Sequence, residues 1–193
     1  MVVYHVGGTE FTVDTTFLEV AKQEQAKEIR GVYGWYILPK DLIRLGLQSR
    51  TDQPTYLYIG TVTDKRLKSV TSRFLGELCG AQVCTDKEGK KFDTDFAMSC
   101  VITFLCEKGV DVYFHLLCEK CGQSYEVGIA RNVKPVLQRV TPKTVRLHPS
   151  IRKEITLTAD DIKNVGAAVI ERLAAHPNIV RVAVAAASTP RPG

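Results

Sequence analysis

The sequence predicts a mixed α/β fold built around one hydrophobic core. Its 193 residues are 45% hydrophobic and 24% charged, which suits one main domain. Short aromatic and β-branched runs alternate along the chain with longer segments whose apolar residues repeat at helical spacing. These two observations predict strands and helices that follow one another within a single compact unit.

The first 30 residues predict a hairpin followed by a helix. Val2–Val6 and Glu10–Val13 are apolar-rich runs on either side of a glycine pair, as in a β-hairpin. Thr15 and Thr16 can cap a helix that ends near Arg30. This helix contains several glutamates, so we expect it to face away from nucleic acid.

Two β-favouring segments begin the central part of the chain. Val32–Leu38 is rich in aromatic residues and stops at a proline, and Thr55–Ile59 has the same character. A long loop, Pro39–Pro54, separates them. We therefore expect two neighbouring strands joined by this loop.

The remainder of the central part predicts three helices and a third strand. The second of these helices is rich in β-branched and aromatic residues, so a strand is the alternative there. Pro135 prevents the third helix from continuing. The expected elements are helix Lys65–Leu78, loop Thr85–Thr94, helix Asp95–Lys108, strand Val110–Leu117 and helix Gln123–Lys134.

A basic arm follows, and the chain then predicts a last helix and strand. Residues 134–153 contain six basic residues, three prolines and no Asp or Glu, which suits an extended contact with a phosphate backbone. A solvated surface loop is the alternative. Beyond it, helix Ala159–Ala175 and strand Ile179–Ala186 look like a packing or association element. The basic residues are Lys134, Arg139, Lys143, Arg146, Arg152 and Lys153.

Bulk properties narrow the class of protein. The net charge of +5 is too small to decide a partner by itself. No apolar run approaches the length of a bilayer span, and the first residues lack a signal-peptide pattern, so we expect a soluble, cytoplasmic protein without a membrane partner. Six cysteines are too few for a disulfide scaffold in a chain of this size, and reduced thiols or a metal site are favoured instead.

A constellation of motifs carries the functional prediction. The triplet Gly-Val-Tyr ends at Tyr33, the triplet Tyr-Ile-Gly begins at Tyr58, and Glu126 is followed by Pro135 and Gln138. With these motifs in this order, residues 31–138 resemble the GIY-YIG endonuclease superfamily. The resemblance implies a small, central, mostly antiparallel three-stranded sheet flanked by helices, with residues 1–30 and 139–193 as additions.

The resemblance also implies the roles of individual residues. Tyr58 would activate or position the attacking water, and Tyr33 would line the same pocket. Arg73 would contact the phosphate, and we prefer it to Arg66 because apolar residues flank it. Glu126 would hold one Mg²⁺ or Mn²⁺ through oxygen ligation.

Three further residues belong to the expected site. Lys68 would add positive charge, and Gln138 stands where an asparagine is usual in the superfamily. Glu77 replaces the usual histidine or tyrosine one helical turn after Arg73. A carboxylate there would either pair with Arg73 or accept a proton, and the sequence leaves both open.

The cysteines suggest a second kind of site. Cys118 and Cys121 have the spacing of half a zinc site, and Cys79 with Cys84 could complete it. Small buried thiols are the alternative. His115 alternates with apolar residues on a strand and is more simply a packed core histidine than a ligand.

The sequence thus predicts a metal-dependent endonuclease that acts on double-stranded DNA, most like a stand-alone restriction enzyme. Cutting both strands would require a homodimer or successive nicking. A structure-specific or repair nicking nuclease is the alternative within enzymes. A zinc-stabilised DNA-binding module without catalytic activity is the alternative outside them, followed by a protein-interaction domain in which the tyrosines only pack.

Overall fold

The computed structural model describes residues 1–6, 9–13, 28–63, 69–79, 84–85, 91–92, 94–137 and 159–182. The helices are α1 Pro39–Leu42, α2 Val70–Cys79, α3 Thr94–Glu107, α4 Gln123–Val133 and α5 Ala159–Ala174, with a 3₁₀ turn at Ile43–Leu45. The strands are β1 Val2–Val6, β2 Thr9–Thr12, β3 Gly31–Ile37, β4 Leu47–Ser49, β5 Thr55–Val62, β6 Cys84–Thr85, β7 Lys91–Phe92, β8 Val112–Glu119 and β9 Ile179–Arg181. The mixed α/β class predicted from the sequence is confirmed.

The central sheet has five strands in the order β2-β1-β8-β3-β5, so the expectation of three strands is wrong. Strand β3 pairs antiparallel with β5 on one side and with β8 on the other. The two extra strands are the predicted N-terminal hairpin, whose β1 pairs in parallel with β8. The hairpin joins the sheet because Val2, Tyr4 and Val6 alternate into the same core as the residues of β8.

The main core lies between one face of the sheet and helices α2 and α3. Its centre is a group of aromatic rings: Tyr4 packs edge-on against Phe74 with centroids 5.0 Å apart, and Trp35 stacks on Phe74 at 5.3 Å. Phe114 stacks on Tyr33 at 5.0 Å. These rings fix the positions of the side chains that form the candidate site.

Helix α3 explains the ambiguous composition of its segment. Cys100, Val101 and Leu105 are fully buried, and the helix packs against both α2 and α5. A helix enclosed on several sides can hold β-branched and aromatic residues without an amphipathic pattern. The predicted helix is therefore confirmed over its strand alternative, and Gly109 follows it with a positive φ of 74°.

The opposite face of the sheet carries helix α4. Ala130 of this helix packs on Val32 and Ile59. Farther along the same sheet, His115 stacks on His5 with ring centroids 4.6 Å apart, and both rings are half-buried. His115 is therefore half-buried on the sheet and is not a fully packed core histidine. Burial together with the charge of His5 lowers the pKa of His115.

Several predicted boundaries differ from the structure. Helix α2 begins at Val70 rather than Lys65, because Ser69 caps it: the Ser69 hydroxyl accepts a 3.1 Å hydrogen bond from the backbone N–H of Ser72. Residues 28–30 are not helical, although the N-terminal helix was expected to reach Arg30. The body of that helix lies outside the described residues.

Two expected loops contain secondary structure. The Pro39–Pro54 loop includes α1, the 3₁₀ turn and β4, which pairs antiparallel with β9. The Thr85–Thr94 segment contributes to a two-stranded ribbon of β6 and β7. Helix α5 matches its prediction closely, and β9 covers the first three residues of the predicted last strand, of which residues 183–186 lie outside the described part of the chain. Within the described ranges no helix is long and apolar enough to cross a bilayer.

Candidate active site

The two tyrosine triplets lie side by side, as the sequence predicted. In the β3–β5 pairing, Tyr33 faces Gly60 and Trp35 faces Tyr58. A Cβ atom on Gly60 would collide with the Tyr33 hydroxyl and lie 2.8 Å from a ring carbon of Tyr58. The glycine of the second triplet is therefore required by the close approach of the two tyrosine rings, whose centroids are 6.2 Å apart.

Helix α2 brings a guanidinium to these phenols. The Nε atom of Arg73 donates a 3.0 Å hydrogen bond to the hydroxyl oxygen of Tyr33. Arg73 also hydrogen-bonds the side chain of Tyr58. One arginine thus contacts both predicted catalytic tyrosines, which supports the preference for Arg73 over Arg66; Arg66 lies outside the described residues.

Glu77 lies one turn after Arg73, accepts two hydrogen bonds and forms an ion pair with Arg73. Its Oε1 atom receives the Tyr33 hydroxyl at 2.7 Å and lies 2.9 Å from Arg73 Nε, and its Oε2 atom receives the indole N–H of Trp35 at 2.5 Å. Glu77 is only 1% exposed. Of the two roles that the sequence left open, pairing with Arg73 is the one that the geometry shows.

Trp35 is the member of this cluster that the sequence reasoning missed. It lies two residues after Tyr33 on β3, and alternate residues of a strand share a face. That spacing was a signal that could have placed the indole beside the tyrosine. The chain contains no other tryptophan.

Burial controls the acid–base properties of the cluster. Burial raises the pKa of Glu77, while Arg73 and the hydrogen bonds from Trp35 and Tyr33 act in the opposite direction. Burial and the Glu77 charge raise the pKa of Tyr33 well above its usual value, and burial also raises the pKa of Tyr58. Both phenols are therefore neutral at physiological pH.

Glu126 is the residue predicted to bind the metal. It lies in the first turn of α4, after Gly122, and is half-buried. Its charge is one of the smaller contributions that raise the pKa of Tyr58. A single carboxylate suits Mg²⁺, which keeps several water ligands and binds through one or two protein carboxylates plus substrate phosphates.

Most of the other predicted residues lie outside the described part of the chain. In the described parts of the chain, no group of three or more His, Cys, Asp or Glu could hold a metal ion. Lys134 is exposed at the end of α4, in a left-handed conformation with φ 48°. Lys68, Gln138, Arg139, Lys143, Arg146, Arg152 and Lys153 lie outside the described residues.

The cysteine pair differs from the expected reduced thiols. Cys118 and Cys121 form a disulfide across the turn between β8 and α4, with their Cα atoms 5.7 Å apart. The three-residue spacing brings the two sulfur atoms together, which suits a disulfide as well as a metal. The side chains of Cys79 and Cys84 lie outside the described residues, so the four-cysteine zinc site stays a prediction.

Comparison of the chain with protein-family models, with curated proteins and with solved structures finds no match.

Proposed function

We propose that this protein is a metal-dependent endonuclease that hydrolyses phosphodiester bonds of double-stranded DNA. One observation carries the proposal: the hydroxyl groups of Tyr33 and Tyr58 converge on the guanidinium of Arg73, on the elements where the motifs predicted them. The charge of Glu126 acts on Tyr58 and contributes to raising its pKa. Phenols, a guanidinium and a carboxylate together can orient water, stabilise phosphate charge and bind a divalent cation.

Arg73 and Tyr58 are the accessible members of the cluster. The Arg73 side chain is 12% exposed and Tyr58 is half-buried, whereas Tyr33 is 1% exposed. A phosphate therefore reaches the guanidinium from the Tyr58 side. There an oriented donor in a water-poor site lowers the barrier by about 3 kcal/mol, because charge develops on the non-bridging phosphate oxygens.

Tyr58 positions the attacking water. Its raised pKa keeps the phenol protonated, so it acts through hydrogen bonding and not as a phenolate. Tyr33 supports it from the buried side, with its proton directed to Glu77 and its oxygen accepting from Arg73. The two tyrosines thus have different roles, which follow from their different exposure.

Glu126 would hold a single Mg²⁺ or Mn²⁺, which when bound supplies Lewis-acid stabilisation of the phosphate. Its place in the first turn of α4 fixes the carboxylate on a rigid element next to the phenol. The residue's own contribution is a negative charge that acts on Tyr58.

The test is cleavage of supercoiled plasmid and long linear DNA in Mg²⁺ or Mn²⁺, with EDTA as the metal-free reaction. We expect the wild type to cut and Glu126→Gln to lose at least about 100-fold in rate, since the amide keeps the shape and removes the charge. Glu107→Gln, an exposed carboxylate at the end of α3, is the matched control and should cut normally.

The products separate the finer alternatives. Discrete bands from linear DNA indicate a site-specific, restriction-like enzyme, and a requirement for branched substrates indicates a repair nicking nuclease. A linear dependence of rate on protein concentration argues against a homodimer. Absence of cutting on all of these substrates would refute the proposal.

A DNA-binding module without catalysis is the second candidate, and the Arg73–Glu77 ion pair of 2.9 Å is the observation that favours it. A guanidinium already bound to a carboxylate contacts phosphate more weakly. Tight duplex binding that weakens steeply with salt, together with no cleavage in either metal, would establish this alternative.

A further inference from the structure

The surroundings of Glu77 point to a positioning role for Trp35. We infer that Trp35 holds the Glu77 carboxylate in one orientation, and through Glu77 sets the direction of the Arg73 guanidinium toward the substrate phosphate. This inference rests on the proposed endonuclease function.

The hydrogen bonds around Glu77 divide between its two oxygens. Oε1 accepts a hydrogen bond from the Tyr33 hydroxyl and forms the ion pair with Arg73. Oε2 accepts a hydrogen bond from the indole N–H at 2.5 Å. Without the indole, the carboxylate would keep partners on one oxygen and could rotate about its last bond. The indole contact is therefore the one that fixes the plane of the carboxylate, and with it the approach of Arg73.

The indole is itself held rigidly. Trp35 is fully buried, stacks on Phe74 and meets Phe114 edge-on at 4.9 Å. A donor fixed by packing on both sides can impose its direction on an acceptor. Trp35 is thus a positioning residue, since it acts only through Glu77.

This arrangement also removes Glu77 from direct proton transfer with water. Two hydrogen-bond donors and the Arg73 guanidinium contact its oxygens, and it is 1% exposed. A positioning function accounts for all three contacts, whereas an acceptor of the water proton would need an open lone pair facing the pocket. The carboxylate keeps its role as long as it is ionised.

The first readout needs no activity. Because Trp35 is the chain's single tryptophan, the indole N–H gives one resonance in a ¹⁵N spectrum of the wild-type protein. A hydrogen bond to a carboxylate moves that resonance downfield, so it should shift when pH falls through the Glu77 pKa. A resonance at an ordinary position that does not respond to pH would overturn the contact.

The second readout is kinetic. Trp35→Phe keeps an aromatic ring between its neighbours and removes only the N–H and one ring. We expect kcat to fall about 10-fold with KM nearly unchanged, and the acidic limb of the pH–rate profile to move to higher pH, because Glu77 loses a donor that favours its ionised form. In a Glu77→Gln background the same substitution should change kcat by less than about 2-fold.

The outcomes separate the two hypotheses. A titrating indole resonance with an unchanged kcat and pH profile in Trp35→Phe overturns the positioning role and leaves the endonuclease intact. A wild type that binds DNA but never cuts it overturns the proposed function and, with it, the positioning role of Trp35 in cleavage. The indole resonance would still report whether Trp35 contacts Glu77. A shifted acidic limb that vanishes in the Glu77→Gln background supports the inference.

Discussion

Replacing Arg73 with methionine should destabilise the protein in a strongly pH-dependent way. The guanidinium Nε lies 2.9 Å from Glu77 Oε1, and the two side chains are 12% and 2% exposed. At an effective dielectric constant near 20 this pair attracts by about 6 kcal/mol, which desolvation largely offsets. Breaking a buried pair from one side costs about 3–5 kcal/mol, because the remaining charge is left uncompensated.

The pH dependence follows from the direction of the Glu77 pKa. Burial already raises this pKa from its usual 4.5, and Arg73 opposes the rise, so Arg73→Met raises it further. A carboxyl whose pKa is higher in the folded state supports stability fully below its unfolded pKa, and this support is lost as pH rises through the folded pKa. The variant should therefore lose about 1.4 kcal/mol for each pH unit between those two values.

Urea unfolding at about pH 5.5 and about pH 7.5 measures the effect, with tryptophan fluorescence and ellipticity as two probes. The destabilisation relative to wild type should grow with pH between the folded pKa of Glu77 in the wild type and its higher folded pKa in the variant, because over that interval only the folded variant still holds the proton. The double variant Arg73→Met with Glu77→Gln carries neither charge and should be insensitive to pH over this range. Equal destabilisation of Arg73→Met at both pH values would refute this account of Glu77.

Three other predictions follow from close packing and the cysteine pair. Gly60→Ala should cost about 1–3 kcal/mol in thermal or urea unfolding and reduce cleavage, since its Cβ meets a buried tyrosine hydroxyl that cannot move away; wild-type activity would contradict this. Gly166→Ala should destabilise similarly because its Cβ would enter an aromatic ring of α3, whereas Gly128→Ala, with nothing within 4 Å, should stabilise by about 0.5–1 kcal/mol. Native mass spectrometry should find the Cys118–Cys121 disulfide as a 2 Da loss that reductant reverses; a bound zinc ion would favour the four-cysteine site instead.

The sequence predicted the site best where local geometry repeats with a fixed period. Tyr33 and Tyr58 end or begin runs of β-favouring residues, and pairing neighbouring runs brings them together. Arg73 and Glu77 are four residues apart, so any helix brings them onto one face. These relations need only strand alternation and helical periodicity, which a single sequence contains.

Long-range pairing was not predictable in the same way. The sequence of the N-terminal hairpin predicts two strands that pair with each other. Nothing in Val2–Val6 indicates that this strand also pairs in parallel with β8. The start of α2 was expected at Lys65, whereas Ser69, a good capping residue, caps the helix, which begins five residues later at Val70. The Trp35 contact needed two facts together: the shared face with Tyr33, and the depth at which Glu77 is buried.

The position of Glu77 argues that the cluster is kept for function as well as folding. A buried ion pair contributes little net stability, and well-packed apolar side chains of similar volume often replace such a pair at no cost. Arg73 and Glu77 occupy core positions next to Phe74 and Trp35, where such replacements would fit the surroundings. Retaining two charges there, with every described donor directed at a specific oxygen, is expected where the orientation of the guanidinium matters. The double variant Arg73→Met with Glu77→Gln separates a role in stability from a role in cleavage. It should fold with near-normal stability and yet fail to cut DNA.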